Sequence, residues 1–112
     1  KALMLGVPPA RWRALYDDGL ARVSPDARPL AWDDYQPRLA EAAARGWVYD
    51  FEENELGIRC VGAAVRDVTG AVVAGISIAS AVSHMSEARM ATLGPVVRAT
   101  ADAISKDLGW IP

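Results

Sequence analysis

At 112 residues, 52% hydrophobic and 23% charged, the chain has the size and balance of one globular domain or part of one, which excludes a disordered polymer. A net charge of −2, with no basic run beyond Arg11-Trp12-Arg13, excludes a segment built to neutralise nucleic-acid phosphates. A single cysteine excludes an internal disulfide and any CxxC metal motif, and the longest uncharged run falls short of the ~20 apolar residues that cross a bilayer.

The opening Lys-Ala-Leu-Met-Leu carries no initiator methionine, so the chain is expected to be a piece of a longer protein. Residues 8–20 predict a short helix, opened by proline and closed by Gly19. A loop with two prolines follows. Residues 33–46 predict a second helix, N-capped by Asp33 or Asp34 and closed by Arg45-Gly46. Leu39, Ala42 and Ala43 form its apolar side, and Pro37 is tolerable there if it falls in the first turn. Residues 47–51 predict a strand.

Two further strands are predicted over 58–66 and 71–79, joined by the turn Asp67-Val-Thr-Gly70. Residues 86–109 predict a long helix with Leu93, Val96, Val97, Thr100, Ala101, Ile104 and Leu108 at helical spacing, kinked or broken at Gly94-Pro95. The order is α-α-β-β-β-α, an α+β domain with an antiparallel sheet flanked by helices.

If Asp67 faces Gly70, Val61 pairs with Ile76, Ala63 with Ala74 and Val65 with Val72. On the other face Cys60 then meets Ser77, Gly62 meets Gly75 and Ala64 meets Val73. One face is branched and suited to packing a helix. The other is small and leaves volume above the sheet, which another segment or a ligand must fill.

The chemistry of single residues is weaker. Asp50, Glu52, Glu53 and Glu55 crowd into six residues, yet an EF-hand loop starting at Asp50 finds Glu55 and Val61 where it needs Gly and Glu. The one histidine, His84, has no partner at ligand spacing and is expected in a loop or at the start of the last helix. Cys60 reads best as a small buried hydrophobe rather than a nucleophile. The aromatics are scattered and read as core and rim. No catalytic residue, metal or cofactor is expected.

The run Arg45–Ser80, followed by a short loop and a helix ending in Ala-Ile-Ser-Lys-Asp-Leu-Gly, resembles the effector-binding domain of IclR-type bacterial transcription regulators. Gly46, Asp50, Glu52, Glu53, Gly57, Cys60, Ala63, Asp67, Gly70, Ala74, Ile76 and Ser77 fall in step with that family's pattern without gaps. The opening Lys-Ala-Leu matches its Gly-Lys-Ala-Leu stretch, so the resemblance covers the chain. It implies a GAF-like (profilin-like) α+β sensor, truncated here on its N-terminal side, with residues 1–112 the C-terminal portion of the domain. The winged helix-turn-helix is absent from this chain, so DNA would be reached only through that missing domain.

The resemblance also implies a small-molecule effector, an organic acid or aromatic catabolite. It implies a homodimer or homotetramer, a cytoplasmic location, and neither membrane nor enzyme chemistry. By position its ligand contacts map to Asp50, Cys60, Ser77 and Ala79, the last in place of a serine, over a floor that includes Gly62 and Gly75. Gly62 and Ala64 depart from the family's alanine and proline, which implies a roomier, less polar pocket. The other reading of the small face is an oligomerisation module with no ligand of its own.

Overall fold

The computed structural model describes residues 1–25 and 27–112. Three helices and three strands follow the expected order: α1 (Trp12–Leu20), α2 (Trp32–Arg45), β1 (Val48–Phe51), β2 (Ile58–Arg66), β3 (Val72–Ala81) and α3 (Glu87–Asp107). Short 3-10 turns cover Ala2–Gly6, Pro9–Arg11 and Val82–His84, so His84 lies just ahead of α3 as expected. The sheet is antiparallel in the order β1-β2-β3.

Helix ends follow local chemistry where it is strong. Ser86 caps α3, its hydroxyl accepting from the Arg89 amide at 3.1 Å. Gly46 closes α2 in the left-handed region, with φ 95°, where glycine carries no Cβ penalty. Elsewhere the expectations need correction. Ala31, without a side-chain cap, precedes α2, and Asp33 and Asp34 lie inside its first turn, where their charge suits the helix dipole. Pro37 is the sixth residue of that helix, past the first turn, and the helix runs through it. Gly19 lies within α1, which ends at Leu20 with Ala21 in ordinary helical conformation.

Likewise α3 is not broken at Gly94-Pro95. Proline removes one backbone donor in a helix of 21 residues, and tertiary packing outweighs that loss. Gly94 has a packing reason: a Cβ there would fall inside the Trp47 indole. The buried stripe of α3 is Met90, Gly94, Val97, Ala101 and Ser105, while Val96, Ile104 and Leu108 are exposed, so the helix is turned by about one residue from the expected face. Ser105 shows why a hydroxyl is tolerated there. It donates to the Ala101 carbonyl at 2.7 Å and accepts from the Arg66 amide at 2.8 Å, fastening α3 to the end of β2.

The core is the branched face of β2, with Val61, Ala63 and Val65 against Met85, Met90, Val97 and Ala101. The hairpin differs in register from expectation. Asp67 pairs through its amide with the Ala71 carbonyl, not Gly70, leaving a three-residue loop closed by Gly70 at φ 82°. A bulge between Val65 and Arg66 then leaves Val73 without a rung. Each event slips β3 by one residue. Cys60 therefore faces Ala79, Gly62 faces Ser77, and Ala64 faces Gly75. Two slips of one restore the alternation, so the small residues still share one face while the expected Cys60–Ser77 and Gly62–Gly75 rungs are absent.

Candidate functional site

The acidic stretch between β1 and β2 is a compact turn in which Asp50, Glu52 and Glu53 each accept from a nearby backbone amide. Asp50 Oδ1 accepts from the Glu53 amide at 2.8 Å. Glu52 adopts φ 65°, in the left-handed region, and its side chain accepts from the Gly57 amide at 2.9 Å. Glu53 is buried; its carboxylate accepts from the Phe51 amide at 3.3 Å and forms an ion pair with Lys1. The Lys1 ammonium also donates to the Tyr49 carbonyl at 2.9 Å and lies 5.5 Å from the Tyr35 ring centre.

Above the small face of the sheet lies a cavity of about 330 Å³. Asp50, Cys60, Gly62, Gly75 and Ser77 line it together, with Lys1 and Val48 at its sides. The β1–β2 ladder explains the grouping, because Asp50 pairs with Cys60 and Val48 with Gly62. Ala79 stands opposite Cys60 but does not line the cavity. The two glycines differ. A Cβ on Gly62 would meet the Ile76 carbonyl at 3.3 Å and Val48 at 3.4 Å, both in the cavity floor and wall. A Cβ on Gly75 would meet Ala2 at 3.3 Å, because the 3-10 turn Ala2–Gly6 lies over that end of the sheet. The chain thus fills part of the small face itself and leaves the Cys60 end open.

The electrostatics are those of a donor-bearing pocket with an acid beside it. Burial pushes the Cys60 thiol above its ordinary value of 9.0, and the negative charges of Asp50 and Glu53 push it further. At neutral pH it is a protonated S–H, a weak donor rather than a nucleophile. Burial similarly raises the Tyr35 phenol, helped by Glu53 and Tyr16.

Sequence reasoning missed Lys1 and Val48 as lining residues. Lys1 was visible as the first cation of the chain, but its contact with Glu53 spans 52 residues and no local spacing signals it. Among the described residues no group of three or more His, Cys, Asp or Glu side chains is placed to hold a metal ion. Among them, too, no helix is long and apolar enough to cross a membrane.

Residues 32–106 match the family described as bacterial transcriptional regulator IclR C-terminal. The HTH-type transcriptional repressor AllR of Klebsiella pneumoniae is 43% identical over 77 residues, which cover 69% of this chain and 28% of that protein. The chain therefore spans well under half of the curated relatives it matches. In structure it is similar to the Agobacterium tumefaciens repressor BlcR, with a TM-score of 0.82 and 32% identity, covering 97% of this chain and 44% of that one. Thermotoga maritima IclR follows with a TM-score of 0.72 and 28% identity, again over 97% of this chain and 44% of the other. The fold is the α+β, GAF-like one of those C-terminal domains. With the family matched over two-thirds of its residues and the same fold in solved relatives, this chain belongs to the IclR family of bacterial transcriptional regulators, in the region of their C-terminal domain.

Proposed function

We propose that this chain is the effector-sensing part of an IclR-type regulator. A small organic acid or aromatic catabolite enters the cavity above the small face. Its binding alters the DNA affinity and oligomerisation of the full-length cytoplasmic protein, a homodimer or homotetramer. DNA is contacted through a winged helix-turn-helix outside these residues, and the chain performs no catalysis.

The observation that carries the reading is the convergence of Asp50, Cys60 and Ser77 on one cavity floored by Gly62. A carboxylate beside the pocket disfavours an anionic group at that spot, so Asp50 accepts from a ligand hydroxyl. The protonated Cys60 thiol and the Ser77 hydroxyl donate to a ligand oxygen. A hydroxylated or keto compound meets both demands. A cavity of about 330 Å³ sits at the small end of ligand sites and suits a compact molecule.

The competing reading is an oligomerisation module with no ligand of its own. The contact of Ala2 with the Gly75 end of the sheet favours it, since the chain there fills its own small face. Thermal unfolding against a panel of hydroxy, keto and phenolic acids separates the two. A compound that raises the midpoint, and loses that effect in the Cys60→Ala/Ser77→Ala double variant, supports sensing. The same compound should shift operator binding by the full-length regulator. A panel without any stabilising compound, or a hit indifferent to the double variant, would leave the packing module in its place.

A further inference from the structure

The recess between α2 and β1 is separate in chemistry from the sheet cavity. It measures about 150 Å³ and is walled by Tyr35, Leu39, Tyr49 and Phe51. Arg38, Glu41 and Arg45 line it as well, so the two guanidiniums share the recess with one carboxylate. The two arginines lie seven residues apart on α2, on one face of the helix.

Both guanidiniums lie against aromatic rings, and Arg45 has a carboxylate partner besides. Arg45 lies 4.3 Å from the Tyr49 ring centre and 5.7 Å from that of Trp47, and its Nε donates to the Trp47 carbonyl at 3.0 Å. The ion pair it makes among the described residues is with Glu41, 4.0 Å away on a side chain that is 72% exposed, a loose and readily displaced partner. Arg38 lies 5.4 Å from the Phe51 ring centre and has neither a hydrogen bond nor an ion pair among the described residues. The Lys1 ammonium, which also borders the recess, is already neutralised by Glu53. A ring against the guanidinium plane leaves the N–H edge of Arg38 free, the arrangement that receives a carboxylate in two parallel bonds, while Arg45, with Nε on the Trp47 carbonyl and Nη1 near Glu41, offers only part of its edge. The recess therefore offers positive charge at its rim and apolar walls within.

We propose that this recess is a second ligand site, for a compact organic carboxylate whose anionic group takes the Arg38 and Arg45 edges and whose short apolar body lies among Tyr35, Tyr49 and Phe51. The volume equals about five waters at ~30 Å³ each, which limits the body to a few carbons. Lys1 and Val48 border both the recess and the sheet cavity, but the acid and donors of the cavity, Asp50, Cys60 and Ser77, do not line the recess.

The test uses butyrate as probe and butyramide as its uncharged counterpart, followed by backbone amide NMR on this chain. Butyrate is expected to give saturable shifts confined to residues 35–51, and butyramide none. Arg38→Gln should weaken butyrate by about tenfold, the scale of a lost charged hydrogen bond. Arg38 is exposed, so that variant keeps the fold; Arg45→Lys, which retains charge and loses the fork, should weaken binding as well. The Cys60→Ala/Ser77→Ala variant should bind butyrate unchanged. Absence of saturable shifts, equal shifts from butyramide, indifference to both arginine variants, or loss of binding in the sheet-cavity variant would each overturn the proposal.

Discussion

Gly62 lies directly across the ladder from Ser77, so the hydroxyl stands beside the place on β2 that has no side chain. Gly62→Val fills that space from the floor. Its Cβ meets the Ile76 carbonyl at 3.3 Å and needs a small adjustment, so the stability cost should be about 1 kcal/mol. Stabilisation by any cavity ligand should disappear. Thermal unfolding of the variant with and without that ligand reads both quantities.

Gly75→Val meets a different neighbour, since its new Cβ would lie 3.3 Å from the Ala2 Cβ. The added methyls press on the 3-10 turn Ala2–Gly6 and should cost about 1–3 kcal/mol by overpacking. Denaturant unfolding measures it. A cost well below about 1 kcal/mol would show that the turn over Gly75 is not held in place.

Glu53 and Lys1 form a largely shielded ion pair, with side chains 9% and 16% exposed. Lys1→Met leaves the Glu53 carboxylate shielded from water and stripped of its cation. The expected cost is about 3 kcal/mol, the range for breaking rather than replacing such a pair. The double change Lys1→Met/Glu53→Gln should recover part of that loss, and a mutant cycle of urea midpoints gives the coupling.

Cys60 supplies a pH test. Its thiol is raised by burial and by Asp50 and Glu53, so the folded state holds the proton more tightly than the unfolded chain. A group raised in this way contributes stability below its unfolded value near 9.0, and that stability is lost as pH climbs through the folded value. Alkylation of native Cys60 by iodoacetamide at pH 7–8 should be slower than in the unfolded chain and should accelerate above pH 9. A native rate equal to the unfolded rate at pH 8 would contradict the shielding.

Gly94→Ala tests helix packing. The new methyl collides with the Trp47 indole, and α3 cannot retreat without losing Val97 and Ala101 from the core. A loss of about 1–3 kcal/mol or more is expected, against the small gain that alanine brings in an exposed helix.

The strands and the sharing of the small face were legible because both depend on neighbours along the chain. Alternation along β2 and β3 assigns faces, and the chemistry of Asp67 and Gly70 marks the turn. The rungs were not legible. Whether Asp67 closes on Gly70 or Ala71, and whether Val73 is paired, is decided by strand twist and packing on α3 rather than by any residue type. The same limit hid the role of Gly94. As a sequence, Gly94-Pro95 reads as a break, and only the approach of Trp47, 47 positions earlier, gives the glycine its reason. Cys60 and Ser77 were placed on one face because that assignment survived the double slip, whereas Asp50 came only from the family resemblance. Lys1 was not found, since its partner lies at the far end of a long-range fold.

From Ala71 to Ser83 there is no charged residue, and Val72–Ala81 forms a strand with no neighbour on its outer side among the described residues. A row of unpaired amides and carbonyls flanked by valine and isoleucine is a template for further strands. It has no gatekeeper: neither lysine nor proline interrupts it. In practical terms, the yield of soluble material should fall steeply with concentration and temperature long before the core melts, with turbidity preceding loss of the near-ultraviolet signal. Val73, 53% exposed at the bulge, is the natural place for a remedy, and Val73→Lys should raise the onset of turbidity while leaving the unfolding midpoint nearly in place.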